Sequence, residues 1–326
     1  MDISQFRDQV HINSIRSALW CGREFGRASV MIGSGFSRYA DPVSPISKPF
    51  PLWAELAGAM VETLSSGASS SPRQSYSPLR IASEVEAMLG RSALNSLLLD
   101  NIQDNSFKPG QLHELLLNLP WSDVFTTNYD TLLERARAAV HERKYDVIQT
   151  IDDIPHRMKP RIVKLHGSFP SHHPFIITEE DYRTYPSKFA PYVNMVQQAI
   201  MENTFCLIGF SGDDPNFLYW SGWVRDNLGK AAPQIYLCGI LNLSEAQRKV
   251  LEHRRVIPID LSPLYSESDW PDPNLQHSKA TEWLLLNLLS GEPPDQKRWP
   301  EVVSSPLPKT YKDMPDIPGS SPVDVK

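Results

Sequence analysis

The 326-residue chain has a formal net charge of −6, with 41% hydrophobic and 21% charged residues. That balance allows a large buried core but supplies no cationic excess for a phosphate backbone, so no direct nucleic-acid binding is expected. No apolar run approaches the ~18 residues of a membrane span, and Met1-Asp2-Ile3-Ser4-Gln5 lacks the cationic and apolar segments of a secretion signal, so a cytoplasmic protein off the membrane is expected.

In chain order, apolar residues at Phe6, Val10, Ile12, Ile15, Leu19 and Trp20 predict an amphipathic helix within residues 3–24. Residues 28–32 follow as a strand that runs into Gly33-Ser34-Gly35-Phe36-Ser37. The glycines there let backbone N–H groups approach a phosphate without a Cβ in the way, although the stretch by itself also reads as an ordinary turn. The third glycine of a dinucleotide fingerprint is replaced by Arg38, and Glu55 falls in a helical pattern rather than at a strand end. Residues 41–51 are proline-rich and predict an ordered or ligand-covering loop. Helical spacing then marks 52–64, 79–89, 94–99 and 111–119, broken by a serine-rich mobile loop at 65–77, so an all-helical insertion over about 52–120 is expected.

Val124-Phe125 gives way to Thr126-Thr127-Asn128-Tyr129-Asp130, followed by a predicted helix over 131–143 and a strand over 145–149. After a loop at 152–160, Ile162-Val163-Lys164-Leu165 runs into His166-Gly167. Residues 175–177 predict a short strand, and Thr178 with Asp181 three positions on predicts a capped helix start. A helix over 192–200 and a strand over 204–208 lead to Gly209-Phe210-Ser211-Gly212-Asp213-Asp214-Pro215, where Asp213 or Asp214 caps a helix opened by Pro215. Strands over 235–238 and 256–259 and helices over 244–254 and 278–289 complete the alternation. Trp220 and Trp223 read as core residues of their helix.

This alternation predicts an α/β fold: a Rossmann-like parallel sheet with helices on both faces and the helical insertion. Residues 1–290 are assigned to that one domain. Residues 291–326, with eight prolines, read as a linker or partner-binding tail. Four apolar runs ending in polar corners should bring those corners into one crevice at the carboxyl ends of the strands. Cys21, Cys206 and Cys238 form no Cys-x-x-Cys pair, which excludes a zinc ribbon and leaves them as small buried residues. His172-His173 lacks nearby fitting ligands, so no metal site is assigned.

In order and approximate spacing, Gly33-Ser34-Gly35-Phe36-Ser37, Thr126-Thr127-Asn128-Tyr129-Asp130, Lys164-Leu165-His166-Gly167 and Gly209-Phe210-Ser211 resemble the NAD-binding and catalytic motifs of sirtuins, over about residues 29–260. The chain departs from the sirtuin deacylases in lacking the four zinc cysteines. Where those carry an acidic-Phe-Arg signature it has Asp41-Pro42 and then Pro51-Leu52-Trp53. It is thus similar to the bacterial sirtuin-like branch that hydrolyses NAD in anti-phage defence, in which a helical insertion replaces the zinc module. The resemblance implies NAD as substrate and no metal. It implies NAD contacts from Gly33, Ser34, Gly35, Ser37, Thr127, Asn128, Asp130, His166, Gly209, Ser211 and Asp213, with Asn128, His166 and Asp130 catalytic.

The side chains suit that chemistry. Nicotinamide leaves NAD as a neutral base from a cationic linkage, so no acid is needed at the leaving group, unlike a sugar ether. Asn128 offers an amide oxygen to an oxocarbenium-like ribose or to water, and amide hydrogens to a hydroxyl or carboxamide; it can equally cap the helix that follows. His166 can accept a proton from a ribose hydroxyl or water near neutral pH. Asp130 can orient Asn128, offset developing positive charge, or favour the positive end of the next helix. Ser211 and Asp213 suit ribose binding or helix capping. The expected activity is NAD glycohydrolysis, gated by homo-oligomer assembly, by a protein partner or fused domain that senses phage, or by displacement of a loop such as 41–51 or 65–77. Cyclisation, ADP-ribosyl transfer, deacylation, and NAD or ADP-ribose sensing without turnover stand as alternatives.

Overall fold

The computed structural model describes residues 6–44, 49–65, 77–172 and 174–290. The proline-rich tail, His173, most of the serine-rich loop and residues 45–48 of the proline-rich loop lie outside these described residues. Among the described residues the nine strands are β1 (Ala28–Ile32), β2 (Asp41–Pro42), β3 (Phe107–Lys108), β4 (Asp123–Thr126), β5 (Asp146–Ile148), β6 (Arg161–Lys164), β7 (Thr204–Ile208), β8 (Ile235–Gly239) and β9 (Val256–Asp260). Seven form one sheet in the order β5-β6-β4-β1-β7-β8-β9, with every pairing parallel. The central strands are buried on both faces, which is why they read as unbroken apolar runs rather than alternating ones.

Twelve α-helices among the described residues are α1 (Gln9–Leu19), α2 (Ser34–Ser37), α3 (Trp53–Ser65), α4 (Pro78–Leu89), α5 (Arg91–Asn101), α6 (Gln111–Asn118), α7 (Leu132–Ala136), α8 (Glu179–Lys188), α9 (Ala190–Glu202), α10 (Pro215–Leu228), α11 (Glu245–His253) and α12 (Pro273–Leu289). Apolar residues of α1, α6, α7 and α12 pack on one face of the sheet. Those of α8, α9 and α10 cover the other, so the α/β architecture expected from the alternation is the observed one. A third core gathers α3, α4 and α5 with Tyr129, Leu132, Phe169, Phe175 and Ile177, which places the insertion directly behind the loops that follow β4 and β6. No helix among the described residues is long and apolar enough to cross a membrane.

Several local expectations change. The helix over 111–119 joins the sheet core through Leu112, Leu115 and Leu116 rather than the insertion core. The insertion is framed by the antiparallel β2–β3 ribbon, in which Pro42 is tolerated because a two-stranded edge needs no N–H from it. The helix after Asp130 stops at Ala136, and the chain tightens into three-residue turns up to Val140, a route that buries Val140 and Tyr145. Residues 175–177 form no strand: Phe175 and Ile177 enter the insertion core and Ile176 the opposite one, so the run is apolar because it is buried from two sides. Trp220 is buried as expected, whereas Trp223 is 40% exposed. Cys206 and Cys238 are buried, but Cys21 is exposed.

Chain entry is locked by Asp8. Its carboxylate takes a two-pronged contact from Arg248 at 3.0 and 2.9 Å and a third bond from the Asp260 amide at 3.0 Å, joining the start of α1, α11 and the end of β9. Both partners are buried, so Asp8→Ala strands a guanidinium without its counter-charge. We expect a loss of about 3–5 kcal/mol in urea denaturation.

Candidate active site

The four polar corners are brought together by register. Ile32 of β1 pairs with Thr126 of β4 on one side and Ile208 of β7 on the other, and Thr126 pairs with Lys164 of β6. The strands therefore end level, about 4.8 Å apart, with Gly33, Asn128, His166 and Gly209 just beyond them. The order of strands reverses at β1, and a doubly wound sheet opens its crevice at that point.

The turns after β1 and β7 interlock. The Gly33 and Gly35 amides donate to Ile208 O at 3.3 Å and Gly209 O at 3.0 Å. A Cβ on Gly33 would lie 2.5 Å from Gly209 O, and one on Gly209, which also has φ +61°, would lie 2.5 Å from the Phe36 amide nitrogen. The glycines are thus required by loop-against-loop packing whether or not an anion approaches.

Beside this interlock lies a polar relay. The Asn128 amide nitrogen donates to Gly33 O and to Ser37 Oγ, both at 2.9 Å, and Ser37 Oγ donates to Asp130 Oδ2 at 2.7 Å. Both amide hydrogens are therefore committed, which leaves the Asn128 oxygen as the side chain's open group among the described residues. The Asn128 backbone amide is held by Thr126 Oγ1 at 3.0 Å. Asn128 does not cap α7. Asp130 does serve that helix, because its Oδ1 accepts from the Leu132 amide at 3.2 Å. Asp130 orients Asn128 through Ser37 rather than directly. Burial raises the Asp130 pKa above the ordinary carboxylate value, opposed by Lys164 and the Ser37 hydrogen bond.

His166 sits in a different environment, 2% exposed, with the edges of Tyr182 and Tyr185 against its ring. Its Nε2 lies 3.3 Å from the Asn216 amide nitrogen. Tyr182 donates to Asp214 Oδ2 at 2.8 Å, and Asp214 Oδ1 caps α10 by accepting from the Phe217 amide at 3.0 Å. Burial lowers the His166 pKa, with Asp214 and Asp181 opposing it, so the imidazole is neutral at neutral pH. Asn216 escaped notice in the sequence; its signal was its place two residues past the capping aspartate, on the first turn of α10.

Of the remaining predicted residues, Ser34 and Thr127 are half-buried at the mouth of the β1 and β4 corners. Ser211 Oγ accepts from the Asp213 amide at 3.2 Å, shaping the loop, and Asp214 rather than Asp213 is the helix cap. Ser211 and Asp213 line a cavity of about 220 Å³ with Leu207, Leu218, Arg225 and Arg254, a set that includes neither Asn128 nor His166. Among the described residues no group of three or more His, Cys, Asp or Glu side chains is arranged to hold a metal ion.

Residues 122–259 match the SIR2-like domain family, a span that contains the β4, β6 and β7 corners. Over that span the chain resembles a SIR2-like domain. It is 31% identical over 153 residues to an NAD(+) hydrolase ThsA of Acinetobacter baumannii (strain 532279), covering 45% of this chain and 31% of that protein. It is 30% identical over 139 residues to an NAD(+) hydrolase ThsA of Bacillus cereus (strain MSX-D12), covering 41% and 29%. It is 26% identical over 205 residues to a defense-associated sirtuin 2 of Bacillus subtilis, covering 61% and 19%. The chain thus spans about a third or less of the length of these relatives. A crystal structure of a SIR2 homolog–NAD complex aligns at TM-score 0.45 and 10% identity, covering 84% of this chain and 93% of that one.

The interlock makes a testable demand on the chain. Gly33→Ala and Gly209→Ala each force a Cβ into the facing turn, and we expect each to cost about 1–3 kcal/mol of stability in urea denaturation, as overpacking typically does. Gly58→Ala, inside α3 where a Cβ meets nothing within 4 Å, should instead leave stability unchanged or raise it by up to about 1 kcal/mol.

Proposed function

We propose that the chain is an NAD glycohydrolase that cleaves NAD to nicotinamide and ADP-ribose, as an effector that depletes NAD in anti-phage defence. The observation that carries this reading is the Asn128 amide, clamped by Gly33 O and Ser37 at the switch point with its oxygen left open. The names of the ThsA relatives support it.

In this reading the open Asn128 oxygen faces the ribosyl cation or the attacking water, and the clamp spares the amide from reorganising as charge develops. His166, kept neutral by burial, accepts the proton of a ribose hydroxyl or of the water. Asp130 holds Ser37 and hence the amide. Gly33, Ser34, Gly35, Thr127, Gly209, Ser211 and Asp213 contribute the walls that bind NAD. The cage of Tyr182, Tyr185 and Asn216 covers His166, so turnover requires the turn before α10 to shift. That requirement suits an enzyme whose ungated form would drain its host. The gate is assigned to oligomer assembly or to a phage-sensing partner or fused domain in the cytoplasm, and residues 291–326 to an arm that reaches such a partner from a catalytic unit of residues 1–290.

Purified protein incubated with NAD, with and without candidate activators, is expected to release nicotinamide and ADP-ribose on chromatography. Asn128→Ala and His166→Ala should each lower turnover by ~10²-fold or more while remaining folded. NAD left intact under every condition would put sensing without turnover ahead.

The pH profile supplies a separate check. With the free-enzyme His166 pKa below its ordinary value of 6.5, kcat/KM should hold its plateau as pH falls through 6.5 and decline only at lower pH. A midpoint at or above 6.5 would remove His166 as the base.

A further inference from the structure

We propose that Lys164 is a positioning residue for the Asn128 amide: its buried ammonium pins the Asp130 carbonyl and the Glu134 carboxylate, and so holds the hydrogen-bond relay that clamps Asn128. The inference rests on the reading of Asn128 given above and extends it to a residue that touches no substrate.

Lys164 ends β6 and is 1% exposed, a burial that lysine tolerates only when paired. A methionine of similar length would fill the space without the cost of desolvating an ammonium, so the charge needs a reason. Nζ donates to the carbonyl of Asp130 and lies 3.1 Å from Glu134 Oε1. From Asp130 the relay continues through Ser37 at 2.7 Å to Asn128 at 2.9 Å. Glu134 Oε1 also accepts from Ser168 Oγ at 3.2 Å, while its Oε2 is buried with no hydrogen-bond partner among the described residues. One ammonium thereby ties the corner after β4, the first turn of α7 and the loop that follows His166.

The surrounding charges show what its removal would do. Asp130 is faced by Lys164, Glu134 and Asp104, and Asp104 is itself held by Arg135 at 2.9 Å. Without the ammonium, the buried Asp130 carboxylate loses the charge that opposes its burial and keeps Glu134 and Asp104 beside it, so it becomes harder to ionise. A carboxyl with a raised folded-state pKa weakens the fold as pH climbs from its unfolded value through its folded one. The damage from Lys164→Met should therefore be larger at high pH than at low pH.

Two measurements that need no turnover test this. In urea unfolding without NAD, the stability gap between Lys164→Met and wild type should widen from about pH 5 to about pH 8, narrow in an Asp130→Asn background, and nearly close for Lys164→Arg. The side-chain amide hydrogens of Asn128, assigned by their loss in Asn128→Asp, should exchange with solvent at least ~10-fold faster in Lys164→Met than in wild type. With NAD, Lys164→Met should lower kcat by about 10–100-fold with little change in KM, and Lys164→Arg should restore most of it. If Lys164→Met does not fold, Lys164→Gln takes its place, keeping a donor for the Asp130 carbonyl without the charge.

A gap that is equal at all pH values, or that responds to Glu134→Gln but not to Asp130→Asn, overturns the proposal, as does unchanged amide exchange in a folded variant. If wild-type protein leaves NAD intact, the glycohydrolase reading fails, and unfolding and exchange still decide the role of Lys164.

Discussion

The site depends on one packing constraint: the turn after β1 and the turn after β7 press backbone against backbone at Gly33, Gly35 and Gly209. With no Cβ at Gly33 and Gly209, the two strand ends can close to a hydrogen bond, and Gly33 O is left in place to accept from Asn128. The crevice is therefore shaped by contact between loops and only secondarily by the residues that point into it.

Around that contact, two kinds of environment meet. Asn128, Ser37 and Asp130 form a continuous relay in which each donor is assigned an acceptor, so the amide is presented in one orientation. His166 lies one strand away among aromatic edges, where desolvation rather than a neighbouring charge sets its protonation state. A hydrogen-bonded clamp and an apolar cage on adjacent strand ends keep one side chain fixed and the other neutral.

The insertion is joined to this arrangement by more than its chain connections. Its core includes Tyr129 and Phe175, which flank the two corners. Arg91 at the start of α5 pairs with Asp181 at 2.9 Å on α8, the helix that carries Tyr182 and Tyr185. A displacement of the insertion would thus be felt at the His166 cage through packed side chains and an ion pair, a physical route between a surface element and the crevice.

The sequence by itself determined the parallel sheet, the order of its corners and the residue types gathered there, because strands buried on both faces must be apolar and turns at their ends must be polar or glycine. It also located the α10 start, since Asp214 and Pro215 are local signals that need no distant partner. Only the tertiary structure decided that 175–177 is loop rather than strand and that the helix after Asp130 ends at Ala136, because both outcomes follow from which cores bury Ile176, Phe175 and Val140. It alone showed that Asn128 spends its donors on Gly33 and Ser37, that Asn216 meets His166, and that Lys164 sits behind Asp130. Those pairs are 34 to 95 residues apart, and no periodicity or spacing encodes which side chains will face each other once the strands align.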